Sequence, residues 1–251
     1  MIFKGSLKKD KKLQARALAL NAFWGLLLTV YVLSPTVQKS LLSVVFPSAP
    51  AYVHPRVSLA HMTLTHLGLT FSATALSVLV GVAVGVCVTR SFGREYLPLA
   101  VRTNALLQSL PPSAVIILAF PILGFGWKPT LLALFLYSLL PVAANTIIGF
   151  QSVGADVLDA ADGLGMKESQ RLFIVEFPIA LPHIVNGIRH AFILNLGTAA
   201  IGAVIGAGGL GSIIMSGLIS NNSALVLSGT IVISSIALLS ESLFSLIFGE
   251  H

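Results

Sequence analysis

The sequence predicts an all-α, polytopic membrane protein of about six transmembrane helices. Three observations predict it. Hydrophobic residues make up 55% of the 251 positions and charged residues only 10%, where soluble domains carry about 25% charge. Apolar runs recur at the roughly 20-residue length a helix needs to cross a bilayer core. Lysine and arginine gather on alternate connections rather than evenly. Mean hydropathy is +0.92.

The elements follow in order. Residues 1–16 form a basic cytoplasmic tail with six Lys/Arg and one Asp, so the formal net charge of +6 lies almost wholly there. The high pI therefore describes the tail and not a nucleic-acid-binding face. The first span, about 17–35, is longer than a signal-peptide apolar region, and small residues near Ser48–Ala51 lie far beyond it; an uncleaved span is expected. Residues 17–59 comprise this span and an outer loop. The loop is expected to be irregular at Pro47, Pro50 and Pro55, with a surface helix near Ser58–Thr65.

Residues 60–248 form the main transmembrane domain, with spans near 64–89, 100–123, 130–149, 186–206 and 224–248. Pro111, Pro112 and Pro121 predict a kinked or broken third span, tolerable where neighbouring protein or a wet cavity satisfies the freed backbone groups. With the N-terminus inside, twelve Lys/Arg face the cytoplasm and three, Lys39, Arg56 and Lys128, face outward, which predicts both termini inside. Gly81 and Gly85, and again Gly202 and Gly206, give small-xxx-small faces for close helix packing.

Between the fourth and fifth spans lies a polar segment, 150–182, that is too long and too charged for a plain connector. Residues 156–176 hold five acids and two bases, a net charge that anionic lipid repels, so a protein groove is the expected partner. Asp156 is read as an N-cap with Asp159 at N3. Ala160, Ala161 and Leu164 present a small surface, Gly163 and Gly165 end the helix, and a second helix over Lys167–Phe177 is stopped by Pro178.

The string Asp159-Ala160-Ala161, three residues, Gly165, nine residues, Val175-Glu176-Phe177-Pro178 resembles the EAA signature of type I ATP-binding-cassette importer permeases. It departs by Asp for Glu, Val for Ile and Phe for Leu. Ser109-Leu110-Pro111-Pro112 and the stretch from Gly187-Ile188-Arg189 to Gly206-Ala207-Gly208-Gly209-Leu210-Gly211 are similar to the branch that imports glycine betaine, choline, carnitine and related osmoprotectants. The resemblance implies cytoplasmic ATPase subunits docked on Asp156, Asp159, Ala160, Ala161, Gly165 and Pro178. It also implies a second permease copy or a paralogue, and an extracytoplasmic solute-binding protein. The whole would sit in the bacterial inner membrane, in contact with lipid and not with nucleic acid.

Other readings are weaker. The chain has no GxxxxGK[ST], so ATP belongs on the partner, and neither a cofactor nor a metal is expected in this chain. Residues 206–211 fit GxGxxG formally but lack a βαβ context. Cys87 is the sole cysteine and the six histidines lack paired-ligand spacing. Residues 190–240 contain no Asp, Glu, Lys or Arg, which argues against a self-sufficient ion-coupled carrier. Gln108, Ser109, Asn145, Asn195 and Thr198 either line a translocation path or hydrogen-bond between helices. Glu241 either pairs with Arg189 or faces the path to attract a cation. An importer of the same fold for another small solute, such as an amino-acid derivative, is the alternative.

Overall fold

The computed structural model describes residues 2–108 and 110–249, with side chains described from residue 14 onward except at 104, 105, 107 and 108. Among the described residues all regular structure is helical. The order is α1 (Ile2–Leu33), α2 (Pro35–Val45), α3 (Leu59–Thr89), a 3₁₀ turn (Arg94–Tyr96), α4 (Leu97–Gln108), α5 (Pro112–Leu123), α6 (Trp127–Gln151) and α7 (Ala155–Gly163). Then α8 (Glu168–Gln170) runs through a π-helical turn (Arg171–Glu176) into α9 (Phe177–Thr198) and a 3₁₀ end (Ala199–Ile205), followed by α10 (Leu210–Ile219) and α11 (Ser223–Phe248).

Among the described residues five stretches are long and apolar enough to cross a membrane: Gln14–Leu33, Leu59–Thr89, Trp127–Gln151, Glu168–Ile205 and Ser223–Phe248. The expected third span is two twelve-residue helices, α4 and α5. Pro111 is extended at ψ 136° and caps α5, with Pro112 in its first turn. Two adjacent prolines remove two backbone donors, and the second drives the first out of helical geometry.

The first outer loop is irregular over residues 46–58, as Pro47, Pro50 and Pro55 predict, and departs from expectation on either side of that stretch. Residues 35–45 are a helix, started by Ser34, whose Oγ accepts from the Val37 amide, and by Pro35 in the first turn. No separate surface helix exists near Ser58–Thr65, because α3 begins at Leu59 and runs on unbroken to Thr89.

The chain divides into two units, Met1–Leu67 with Gly208–His251, and Gly68–Ala207. In the first, Tyr31, Leu59, Met62, Leu210, Ile213, Leu225 and Val232 form the core. Polar stitches fix its helices: Tyr31 Oη donates to Ser228 Oγ (3.0 Å), Asn21 Nδ2 to Ser242 Oγ (2.8 Å), and buried Gln38 Nε2 to the Tyr31 carbonyl (2.9 Å). Burial, then the neighbouring Arg56 cation, pushes the His54 imidazole below its ordinary range. Asn222 caps α11, accepting from the Ala224 amide (3.1 Å) while its Nδ2 donates to the Ala51 carbonyl (2.8 Å). Losing a cap and a buried tie costs about 1–2 kcal/mol. Asn222→Ala is therefore expected to lower the melting temperature in detergent by several degrees, checked by thermal denaturation.

In the second unit α3, α6 and α9 pack at backbone distance. A Cβ on Gly81 would lie 2.8 Å from Val142 Cγ1, and one on Gly85 2.5 Å from Thr146 Cγ2, so this glycine pair seats α6, as expected of a small-xxx-small face. The second pair splits its roles. Gly202 lies against Thr130, whereas Gly206 has open space around it and is required for its left-handed φ of +79°. Between α3 and α6, Ser77 Oγ meets Ser138 Oγ at 2.6 Å and donates to the Phe135 carbonyl at 2.8 Å.

Candidate functional site

The segment between α6 and α9 is built from local rules first. Gly154, extended at φ −62°, ψ 145°, is the N-cap of α7, with no side-chain capping bond. Asp156 was expected as the N-cap and lies inside the first turn instead, where its carboxylate complements the exposed amides of the helix start without capping them. The displacement follows from Gly154, which leaves the helical path readily and so begins the helix two residues early.

The end of α7 is a Schellman turn. The Gly165 amide donates to the Asp162 carbonyl (2.9 Å) and the Met166 amide to the Ala161 carbonyl (3.2 Å). Such a turn needs a left-handed residue at its centre, and Gly165 has φ +70°. Asp156, Asp159 and Ala160 are exposed, while Ala161 is only 4% exposed and faces inward. The two alanines thus divide the work: one offers a flat outer surface and the other packs. Leu164, Phe173 and Ile174 add exposed apolar surface to the same segment.

The second helix does not stop at Pro178. Lys167 opens it, its amide donating to Gln170 Oε1 (2.8 Å), and it continues through the π turn into α9. Proline has no amide proton and crowds the carbonyl four residues back. The widened turn at Arg171–Glu176 lies just ahead of it and lets the chain pass without a break. Pro178 occupies the first turn of α9.

Side-chain charges then tie this segment down, and sequence reading did not foresee it. Glu176, 3% exposed, takes a bidentate contact from Arg90 just past the end of α3, one arm of it 3.0 Å from Nη1 to Oε1. Arg171 Nε donates to the same carboxylate at 3.1 Å, and Arg171 Nη1 reaches both oxygens of Asp162 in α7 at 2.8 Å. The Arg90 guanidinium lies 5.2 Å from the Phe150 ring centroid at the end of α6. A cavity of about 380 Å³ opens beside these groups, lined also by Arg94, Leu158 and Glu168. One acid inside an apolar V-E-F-P string was the available signal; its partner 86 positions away was not visible.

The path candidates are scattered. Asn195 is fully buried; its Nδ2 donates to Thr74 Oγ1 on α3 (3.0 Å), and its Oδ1 has no hydrogen-bond partner among the described residues. Thr198, three residues on, is 9% exposed. Asn145 donates to the Pro141 carbonyl of its own helix at 2.8 Å. Glu241 lies in the second half of α11. Gln108 ends α4 with its side chain outside the described residues, and Ser109 lies outside them altogether.

Comparison with known proteins gives a consistent result. Residues 77–248 match the family described as binding-protein-dependent transport system inner membrane component. An osmoprotectant import permease (OsmY) of Salmonella typhimurium is 36% identical over 190 residues, 76% of this chain and 80% of that protein. A carnitine transport permease (OpuCD) of Listeria monocytogenes is 34% identical, covering 73% of this chain and 79% of that protein. Among solved structures, an inward-facing MetNI methionine ABC transporter superposes with a TM-score of 0.66 at 23% identity, covering 74% of this chain and 92% of that one. That last likeness concerns the fold alone.

Proposed function

The chain belongs to the family of binding-protein-dependent transport system inner membrane components, and from that premise we propose that it is the membrane-spanning subunit of an ATP-driven importer for quaternary ammonium osmoprotectants. Its relatives support the cargo: one is named for osmoprotectants and another for carnitine, itself a quaternary ammonium compound. The observation that carries the coupling role is the exposed acidic face of α7, closed by a left-handed glycine and set between two helices.

In this reading the α7 face, Asp156, Asp159 and Ala160, seats in a groove of a separate ATPase, while Ala161, Gly165 and Pro178 shape the backbone behind it. Both termini lie in the cytoplasm, consistent with the lysine and arginine distribution. Two such chains, or this one and a paralogue, enclose the path, and a solute-binding protein delivers cargo from outside. When ATP draws the ATPases together, the seated helices move inward and the spans change from inward- to outward-facing. This chain breaks no bonds; it couples and conducts. Asn145, Asn195, Thr198, Glu241, Gln108 and Ser109 are the candidate path residues, Asn195 being fully buried against Thr74 in this conformation.

Affinity purification of the tagged chain in mild detergent tests the proposal. A P-loop ATPase is expected to co-purify in fixed ratio and to be lost when Asp159 and Ala160 are replaced by lysine. A chain that purifies alone, and carries glycine betaine into vesicles without ATP, would instead be a secondary carrier.

A further inference from the structure

Four charged side chains link α3 to α7 in one line: Arg90, Glu176, Arg171, Asp162. We infer that Glu176 is a positioning residue that locks the coupling helix α7 to the end of α3, so that a push on α7 moves the spans together rather than bending the loop. The inference rests on the importer reading above.

The geometry supports a linkage rather than a mere surface pair. The Arg90–Glu176 end is buried, with side chains 8% and 5% exposed, and the Arg171–Asp162 end is open, at 25% and 54%. The fork-to-fork contact of Arg90 with Glu176, two nitrogens on two oxygens, fixes direction as well as distance. Burying an ion pair seldom adds stability over apolar residues of the same size, so packing alone gives no reason for charge here.

The backbone needs the lock at this place. Glu176 closes the π turn, the stretch of the continuous helix Glu168–Ile205 whose hydrogen bonding is out of register. Such turns are rare, interrupt the regular ladder of a helix and recur at functional sites. Its carboxylate is held from two directions, by Arg90 outside the helix and by Arg171 within it. With the carboxylate gone, Arg90 and Arg171 face each other with no anion between them. The turn is then free to absorb motion that would otherwise reach α3.

The readout is the number of ATP molecules hydrolysed per glycine betaine transported by the whole complex in liposomes. Glu176→Gln keeps the shape and removes the charge, and is expected to raise that ratio at least tenfold with the ATPase still bound. Glu176→Asp is expected to restore part of the coupling. Should Glu176→Gln fail to accumulate, Arg171→Ala serves, because it removes the bonds to Asp162 and the Nε contact with Glu176 while leaving Arg90 to neutralise Glu176. A rise of several-fold is expected there. A wild-type ratio in a variant that accumulates and binds the ATPase overturns this inference alone. Absence of any ATPase beside the wild-type chain overturns the importer reading, and this inference with it.

Discussion

Gly187→Leu is expected to prevent the second unit from assembling, with little folded protein recovered from membranes. Glycine at 187 on α9 sits in the backbone of α6: a Cβ there would lie 2.8 Å from Asn145 Cβ, 2.8 Å from the Pro141 carbonyl oxygen and 3.2 Å from Val142 Cα. These are backbone and near-backbone atoms, so no flexible side chain can swing aside. The contact is reciprocal, since a Cβ on Gly149 of α6 would lie 2.8 Å from the Ala180 carbonyl oxygen in α9. A leucine must therefore push the two helices apart along their shared length. In a membrane, close packing is the main force between helices, because lipid is as apolar as the side chains. Overpacking a tight site commonly costs about 1–3 kcal/mol, and a wedge against backbone at this site belongs at or above the top of that range. Domains hold only about 5–15 kcal/mol in total. Gly197→Leu is the control, since nothing lies within 4 Å of a Cβ there. Thermal unfolding in detergent checks both; a wild-type melting temperature for Gly187→Leu would show that the interface yields.

Gly165→Leu is expected to leave insertion and folding intact while reducing uptake at least tenfold. Space is not the reason, for a Cβ at Gly165 meets nothing within 4 Å. The backbone is the reason. At φ +70° a side chain costs roughly 1–2 kcal/mol, enough to shift a local equilibrium by about five- to thirtyfold. The Schellman turn would open, and α7, through its Asp162, would lose its set direction against Arg171. Gly165→Asn separates this account from a steric one, because asparagine tolerates the left-handed region. Uptake by the asparagine variant is expected to stay near wild type. Equal loss in both would mean that the flat surface at this position matters, not its backbone angle.

Much of this arrangement was legible in the residues. Hydropathy placed the first, second, fourth and sixth expected spans to within about five positions, because a helix in lipid satisfies its backbone internally and must be apolar along its length. The fifth begins much earlier, at Glu168, because the helix runs on through the polar segment. Pro111 and Pro112 announced the break between α4 and α5, and Gly165 announced the end of α7. The N-cap assignment failed because aspartate and glycine both suit helix starts, and the choice depends on where the chain leaves α6. Pro178 was misread as a stop. A proline marks a local defect, but whether the helix ends or passes through a widened turn depends on what packs around it.

Local composition and the habits of glycine are enough to require a helical chain that lives in a membrane and an acidic segment of two helices joined at a glycine. The packing of the folded chain was needed to show that Arg90 meets Glu176 across 86 residues, that Gly149 and Gly187 seat α6 against α9, and that Ala161 turns inward while Ala160 turns out. These depend on which helix faces meet, and on groups whose charge or bulk is tolerable only beside one particular partner.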